Sequence, residues 1–302
     1  KNIHELLKSP LTQMTLHFLH FVLPLLNEFN KFFQTDESQI GGMMEEMEKL
    51  LRKFLVKFVQ MRHIKQVADL RLVRYNDHEI QHDDSTLAIG FSNTALMGEM
   101  ELDYAIKRTF FEDMRNFYVA VVRKIMDKFS FENQVLRDLK VLDPTNKDSL
   151  QFTNICRLAD TFAPNLDIEA LKDEFEDYCM LPDECVPVLT DNGKKRSFCS
   201  YWLDIIRQRI SIGGIHFPNM KVLIERLLTL PHSNADCERC FSMMKKIHTE
   251  CRKSLNSDTV TLFLQCKINN DICCRDFKTP EYTLKSAKGA RVAYNTTHKL
   301  KE

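Results

Sequence analysis

Apolar residues return every three or four positions over most of the chain, the spacing of one face of an α-helix. Leu16, Leu19, Leu23, Leu26, Phe29 and Phe33 form the first such series, and Pro24 is set to kink it. A break at residues 38–42 holds Gly41 and Gly42. Met43, Met47, Leu50, Phe54 and Phe58 then form a second series, with Glu45, Lys49, Arg52, Lys53 and Lys57 on its wet side. Together they predict a helical hairpin. Residues 78–84 are polar and predict a loop. A long helical series follows at Leu102, Ile106, Phe110, Met114, Phe117, Val121, Ile125 and Phe129. Residues 139–144 are a short apolar run closed by Asp143-Pro144, which suits a short strand or an extended segment. An acidic helix is expected over 165–180, and a surface loop over 181–195, where Pro182, Pro187 and Gly193 interrupt the pattern. A helix over 200–209 holds the only tryptophan, Trp202. A second clear break at 211–218 precedes a helix over 219–228.

Composition agrees with a packed, mostly helical protein. Of the 302 residues 44% are hydrophobic and 28% charged, with only 8 Gly and 9 Pro, which excludes collagen-like and disordered readings for the bulk of the chain. The formal net charge is zero, so the global balance gives no support for holding nucleic acid by phosphate neutralisation, although a local basic face stays open. The ten cysteines do not form a small disulfide framework, and reduced thiols in a cytosolic or nuclear protein fit better. The most apolar early stretch is interrupted by His17, His20 and Pro24 and falls short of a membrane span. Because the first residue is Lys1 and not Met, the chain is expected to be part of a longer protein.

The most specific segment lies near the carboxy terminus. Phe217-Pro218 leads into the apolar series Leu223 to Leu228, then Pro231 and a small polar run. Cys237-Glu238-Arg239-Cys240-Phe241-Ser242 follows, then a basic helix, Arg252 to Leu255, and an apolar helix ending at Lys267-Ile268-Asn269. This combination resembles the carboxy-terminal region of hAT-superfamily transposases and of host proteins derived from them. Two weaker upstream echoes are residues 139–144, similar to the family's Leu-Leu-Asp-Pro segment, and Tyr201-Trp202, similar to its aromatic-Trp pair.

The resemblance implies a mainly α chain: a large helical insertion domain followed by the last helices of an RNase H-like α/β core, whose first strands would lie upstream. It divides the chain into an insertion over 1–211, a dimerisation region closing the core over 212–278, and a basic tail over 279–302 expected to be disordered. It also implies catalysis by two Asp and one Glu holding divalent metal. Glu238 falls on the Glu; both Asp would precede Lys1. The chain alone is then not an enzyme and needs no cofactor, whereas a parent DNA transposase would use Mg²⁺ or Mn²⁺ for phosphoryl transfer.

Each of these residues has a plainer reading. Glu238 suits the first turn of a helix capped from the 233–236 segment. Arg239 either orients Glu238 or meets DNA phosphate, or forms an ordinary salt bridge. Phe241 reads as core. Lys245, Lys246, Arg252 and Lys253, with His248, form a basic patch that is either a solvated face or a phosphate-contacting strip. Cys237 and Cys240 fall two ligands short of structural zinc and read as buried thiols. His78 and His82 stand four apart, a metal-binding spacing on a helix, but the apolar pattern there is poor.

Val260, Phe263, Leu264 and Ile268 stand at helical spacing and are the candidate dimerisation residues; the same side chains would equally suit packing within the chain. Three functions compete: a self-association and assembly segment of a transposase-derived, domesticated protein; the part of an active transposase that supplies Glu238; and an unrelated helical scaffold. The first is preferred, with a homodimer or a related hAT-type chain as partner. DNA would be reached through upstream domains, no membrane or small-molecule substrate is indicated, and nuclear location is implied by the family alone.

Overall fold

The structure is a computed structural model that describes residues 3–297 apart from 36, 100–101, 189, 192–193, 210–212, 250–251, 253–254 and 270–277. The protein is mainly helical. Its helices are α1 (Ile3–Lys8), α2 (Pro10–Phe33), α3 (Met43–Phe58), α4 (Met61–Lys65), α5 (Phe91–Glu99), α6 (Tyr104–Lys128), α7 (Gln134–Asp138), α8 (Phe152–Phe162), α9 (Ile168–Met180), α10 (Phe198–Ile206), α11 (Pro218–Leu228), α12 (Ala235–Ile247), α13 (Ser257–Ile268) and α14 (Glu281–Thr297). A two-residue antiparallel ribbon, β1 (Thr190–Asp191) with β2 (Lys194–Lys195), lies in the loop expected at 181–195. The chain forms two compact units, residues 1–235 and 236–302.

The first unit has two hydrophobic cores. In one, α2, α3 and α6 bury Phe18, Phe54, Phe58 and Tyr118. Phe58 stacks on Tyr118 with ring centroids 5.5 Å apart, and Phe18 meets the same ring edge-on at 5.3 Å. The Tyr118 hydroxyl donates to Ala88 O at 2.6 Å, and burial pushes its pKa up. The register expected for α3 holds at Met47, Leu50, Phe54 and Phe58. That of α2 does not. Met14, Phe18 and Val22 are its buried face, while Leu16 is 47% exposed and Leu23 is exposed as well. Residues 16–26 are apolar nearly all round, so several faces satisfy the same periodicity. The 78–84 loop contains a 3-10 turn at His78–Ile80, so His78 and His82 are not on one α-helical face.

The second core gathers α8 to α11 around Tyr178, Tyr201, Trp202 and Phe217. Residues 139–142 are a buried 3-10 turn, not a strand. Their Leu142 carbonyl accepts from Trp202 Nε1 at 2.9 Å, which joins the two upstream echoes of the resemblance by one hydrogen bond. A side chain at Gly41 would meet Leu142 Cβ at 2.9 Å, so glycine is needed there. Buried Glu174 of α9 caps the N-terminus of α11, accepting from the backbone of Asn219 at 2.9 Å and of Met220 at 2.7 Å. Such a carboxylate satisfies donors that a helix start leaves open and suits its dipole. Buried Asp138 accepts from Arg157 Nη2 at 2.6 Å and from Asn154 Nδ2 at 2.8 Å. Burial alone would raise its carboxyl pKa, but the bonds from Arg157, Gln134 and Asn154 outweigh this and hold it below the usual range.

The boundary expected at 211–218 therefore breaks the chain without dividing compact units. Phe217, Met220, Leu223, Ile224 and Leu227 are buried in the same core as Trp202. The tail expected to lack order contains α14, exposed along its described length. Its Leu, Ala, Lys and Arg residues are good helix formers, and a polar composition suits an exposed helix as well as a disordered tail.

Candidate dimerisation surface

The second unit starts with α12. Ser233 Oγ accepts from the Ala235 amide at 3.2 Å, so the 233–236 segment does serve the helix start. Asp236 and Glu238 stand in the first turn, Lys245 and Lys246 in the last, an order that complements the helix dipole. At about 100° per residue, Cys237, Cys240, Phe241, Met243, Met244 and Ile247 share one side of α12 and Glu238, Ser242 and Lys246 the other. Helix α13 is capped by Asn256, whose Oδ1 accepts from the Thr259 amide at 2.8 Å.

The two helices meet along a groove of about 490 Å³ lined by Met244, Lys245, His248, Leu255, Ser257, Val260, Thr261 and Leu264. The four candidate dimerisation residues therefore separate. Val260 is buried and Leu264 half-buried on the face turned to α12, whereas Phe263 is 50% exposed and Ile268 is exposed too. Leu262, about 160° round the helix from Leu264, is 60% exposed. Packing within the chain thus accounts for one side of this helix, and the other side is exposed.

Phe241 is not core: it is 58% exposed. With Cys237, Met244 and His248, all exposed, it makes a stripe along α12 that leads into the groove. Spacing marks this stripe in the sequence, at positions 237, 241, 244 and 248, but a core and an unfilled interface ask for the same residue types. For that reason spacing does not mark Met244 and Leu255 as interface residues, whereas Leu262 belongs to a helix that reads as apolar nearly all round. Cys237 is exposed and Cys240 half-buried, both as free thiols, so the expectation of buried thiols fails. Among the described residues, Val260 is the only buried apolar side chain of this unit.

Glu238 is exposed, and no described side chain pairs with it. Arg239 forms an ion pair with Asp236. Lys245, Lys246 and Arg252 are exposed, and Lys253 lies outside the described residues. No group of three or more His, Cys, Asp or Glu able to hold a metal ion occurs among the described residues. Glu238 by itself does not make a Mg²⁺ or Mn²⁺ site, which takes several converging oxygens. The zero net charge conceals an asymmetry: residues 236–302 hold 13 Lys and Arg against 8 Asp and Glu, and residues 1–235 hold 29 against 34. No described helix is long and apolar enough to cross a membrane.

The family model of the hAT C-terminal dimerisation region matches residues 186–267. The match takes in Tyr201-Trp202, the 237–242 motif, the groove and all four candidates except Ile268, while residues 139–144 lie outside it. No curated protein and no solved structure matches the chain. Residues 186–267 are thus similar to the C-terminal dimerisation region of the hAT family, which supports an hAT-family, transposase-like protein.

Proposed function

We propose that α12 and α13 are the self-association face of a transposase-derived assembly protein, with a second copy of the chain as partner. One observation carries this reading: a unit of 67 residues buries a single described apolar side chain and leaves Phe241, Leu262, Phe263 and Ile268 exposed. Apolar side chains clustered on a surface mark contact sites, and all of these but Ile268 lie inside the dimerisation-region match. The region alone is non-catalytic. The RNase H-like core, nuclear location and a descent by domestication rest on the resemblance and belong to this reading as its wider setting.

A second reading keeps Glu238 as the third carboxylate of an active parent. Its exposure and lack of a described partner leave it available for that role. Two further carboxylates would have to come from outside this chain's described set, with Mg²⁺ or Mn²⁺ between them. The two roles are separable. Phe263→Asp, which sets a charge in the exposed apolar face, is expected to reduce association at least ten-fold in sedimentation equilibrium. Leu264→Asp, inside the groove, should do the same. Glu238→Gln should leave the equilibrium unchanged, since it changes charge and little volume. Wild-type association by Phe263→Asp would sink the assignment of this face.

A further inference from the structure

In the sequence Cys237 and Cys240 fall two ligands short of structural zinc and read as buried thiols. They are instead free thiols, Cys237 exposed and Cys240 half-buried, at the start of the stripe assigned to self-association. We propose that two copies of the chain share one tetrahedral Zn²⁺, held by Cys237 and Cys240 of each. This rests on the self-association reading.

Residues three apart on a helix lie on one side, about 60° and one turn from each other, so both sulfurs can address a single ion. Thiolate ligands with this spacing select zinc over the hard cations. One chain fills half a tetrahedron, in keeping with the lack of a group of three or more possible ligands among the described residues. A two-fold interface repeats the same patch, so a dithiol beside the axis becomes four ligands. Binding exchanges four thiol protons for one Zn²⁺ and leaves a centre of charge 2−. That charge is set against a net +5 on residues 236–302 of each copy.

The size of the face gives the metal a purpose. Helices of 13 and 12 residues span roughly 20 Å each. Side by side they present on the order of 400 Å² per copy, so about 800 Å² in a pair, below the ~1,200–2,000 Å² of stable interfaces. A shared metal would hold an association that the apolar face alone leaves weak.

The test uses the full chain in a non-thiol reductant, loaded with Zn²⁺ and desalted. Metal content and mass are measured together, before and after a chelator. One zinc per two chains is expected, and chelation should weaken association at least ten-fold. Co²⁺ in place of Zn²⁺ should give the sulfur-to-metal absorption of a four-thiolate tetrahedral site. Cys237→Ser and Cys240→Ser should each lose metal and absorption, while fluorescence of Trp202, in the first unit, stays unchanged as the folding control. A dimer without metal, or metal content unaffected by either serine, overturns the shared site and leaves self-association standing. One zinc per monomer overturns the bridging geometry. A monomer with and without Zn²⁺ overturns self-association and the zinc bridge together.

Discussion

The two units use the same kinds of residue in opposite ways. In residues 1–235, aromatic side chains close on each other: Trp202, Tyr201 and Tyr178 are buried together, as are Phe18, Phe58 and Tyr118. In residues 236–302, Phe241, Phe263, Tyr282 and Tyr294 are all exposed. Aromatic residues contribute to stability in the first unit through burial and packing. In the second they remain available to a partner. The family dimerisation match covers parts of both units.

The largest expected effect tests the folded side of this contrast. Trp202→Ala removes a buried ring and the bond to Leu142 O, and should destabilise the first unit by about 3–5 kcal/mol in urea unfolding. A loss under 1 kcal/mol would mean that this core is not packed as described. Next comes Arg157→Ala, which leaves Asp138 buried with only Gln134 and Asn154. Loss of a partner from a buried pair removes ~3–5 kcal/mol. Arg157 is half exposed and partly screened, so a loss smaller than that of Trp202→Ala is expected.

The pH dependence follows from the same pair. The Asp138 pKa is held down in the folded state, so its contribution is complete above the unfolded carboxylate pKa of about 3.9 and is lost as pH falls through the folded value. The wild type should therefore lose more stability than Asp138→Asn on going from pH 5 to pH 3. Equal losses would contradict the assignment.

On the exposed side, Phe263→Ala should change stability by less than about 0.5 kcal/mol. It should nevertheless weaken association about ten-fold, or ~1.4 kcal/mol. If unfolding and association moved together, the face would be part of a core. Smallest is the effect of salt. Like charges on two copies of residues 236–302 repel, so raising ionic strength should tighten association by roughly two- to three-fold. Weaker association in salt would point to ion pairs across the interface.

Much of this contrast was legible in the sequence. The α3 register could be read because charged residues separate its apolar positions, and the 237–242 motif located the dimerisation region. The buried face of α2 could not be read, because Leu16, Leu19, Leu23 and Leu26 recur at the same three- or four-residue spacing as Met14, Phe18 and Val22, and periodicity does not choose between the two sets. Phe241 and the Cys237–Cys240 pair were read as interior for a related reason: hydrophobic pattern reports a wish for burial, not whether the partner lies in the same chain. The Glu174 cap on α11 joins residues 45 and 46 apart in sequence and had no local signal, since Phe217 and Pro218 offer no capping side chain.

The central claim is that the exposed face of α12 and α13 joins two copies. It is tested most directly by light scattering of the 35.4 kDa chain over a concentration series with Zn²⁺ present, beside Phe263→Asp. The expected result is a mass rising to twice that of one chain for the wild type and staying at one chain for the variant. A wild type that remains at the mass of one chain at every concentration would contradict the account.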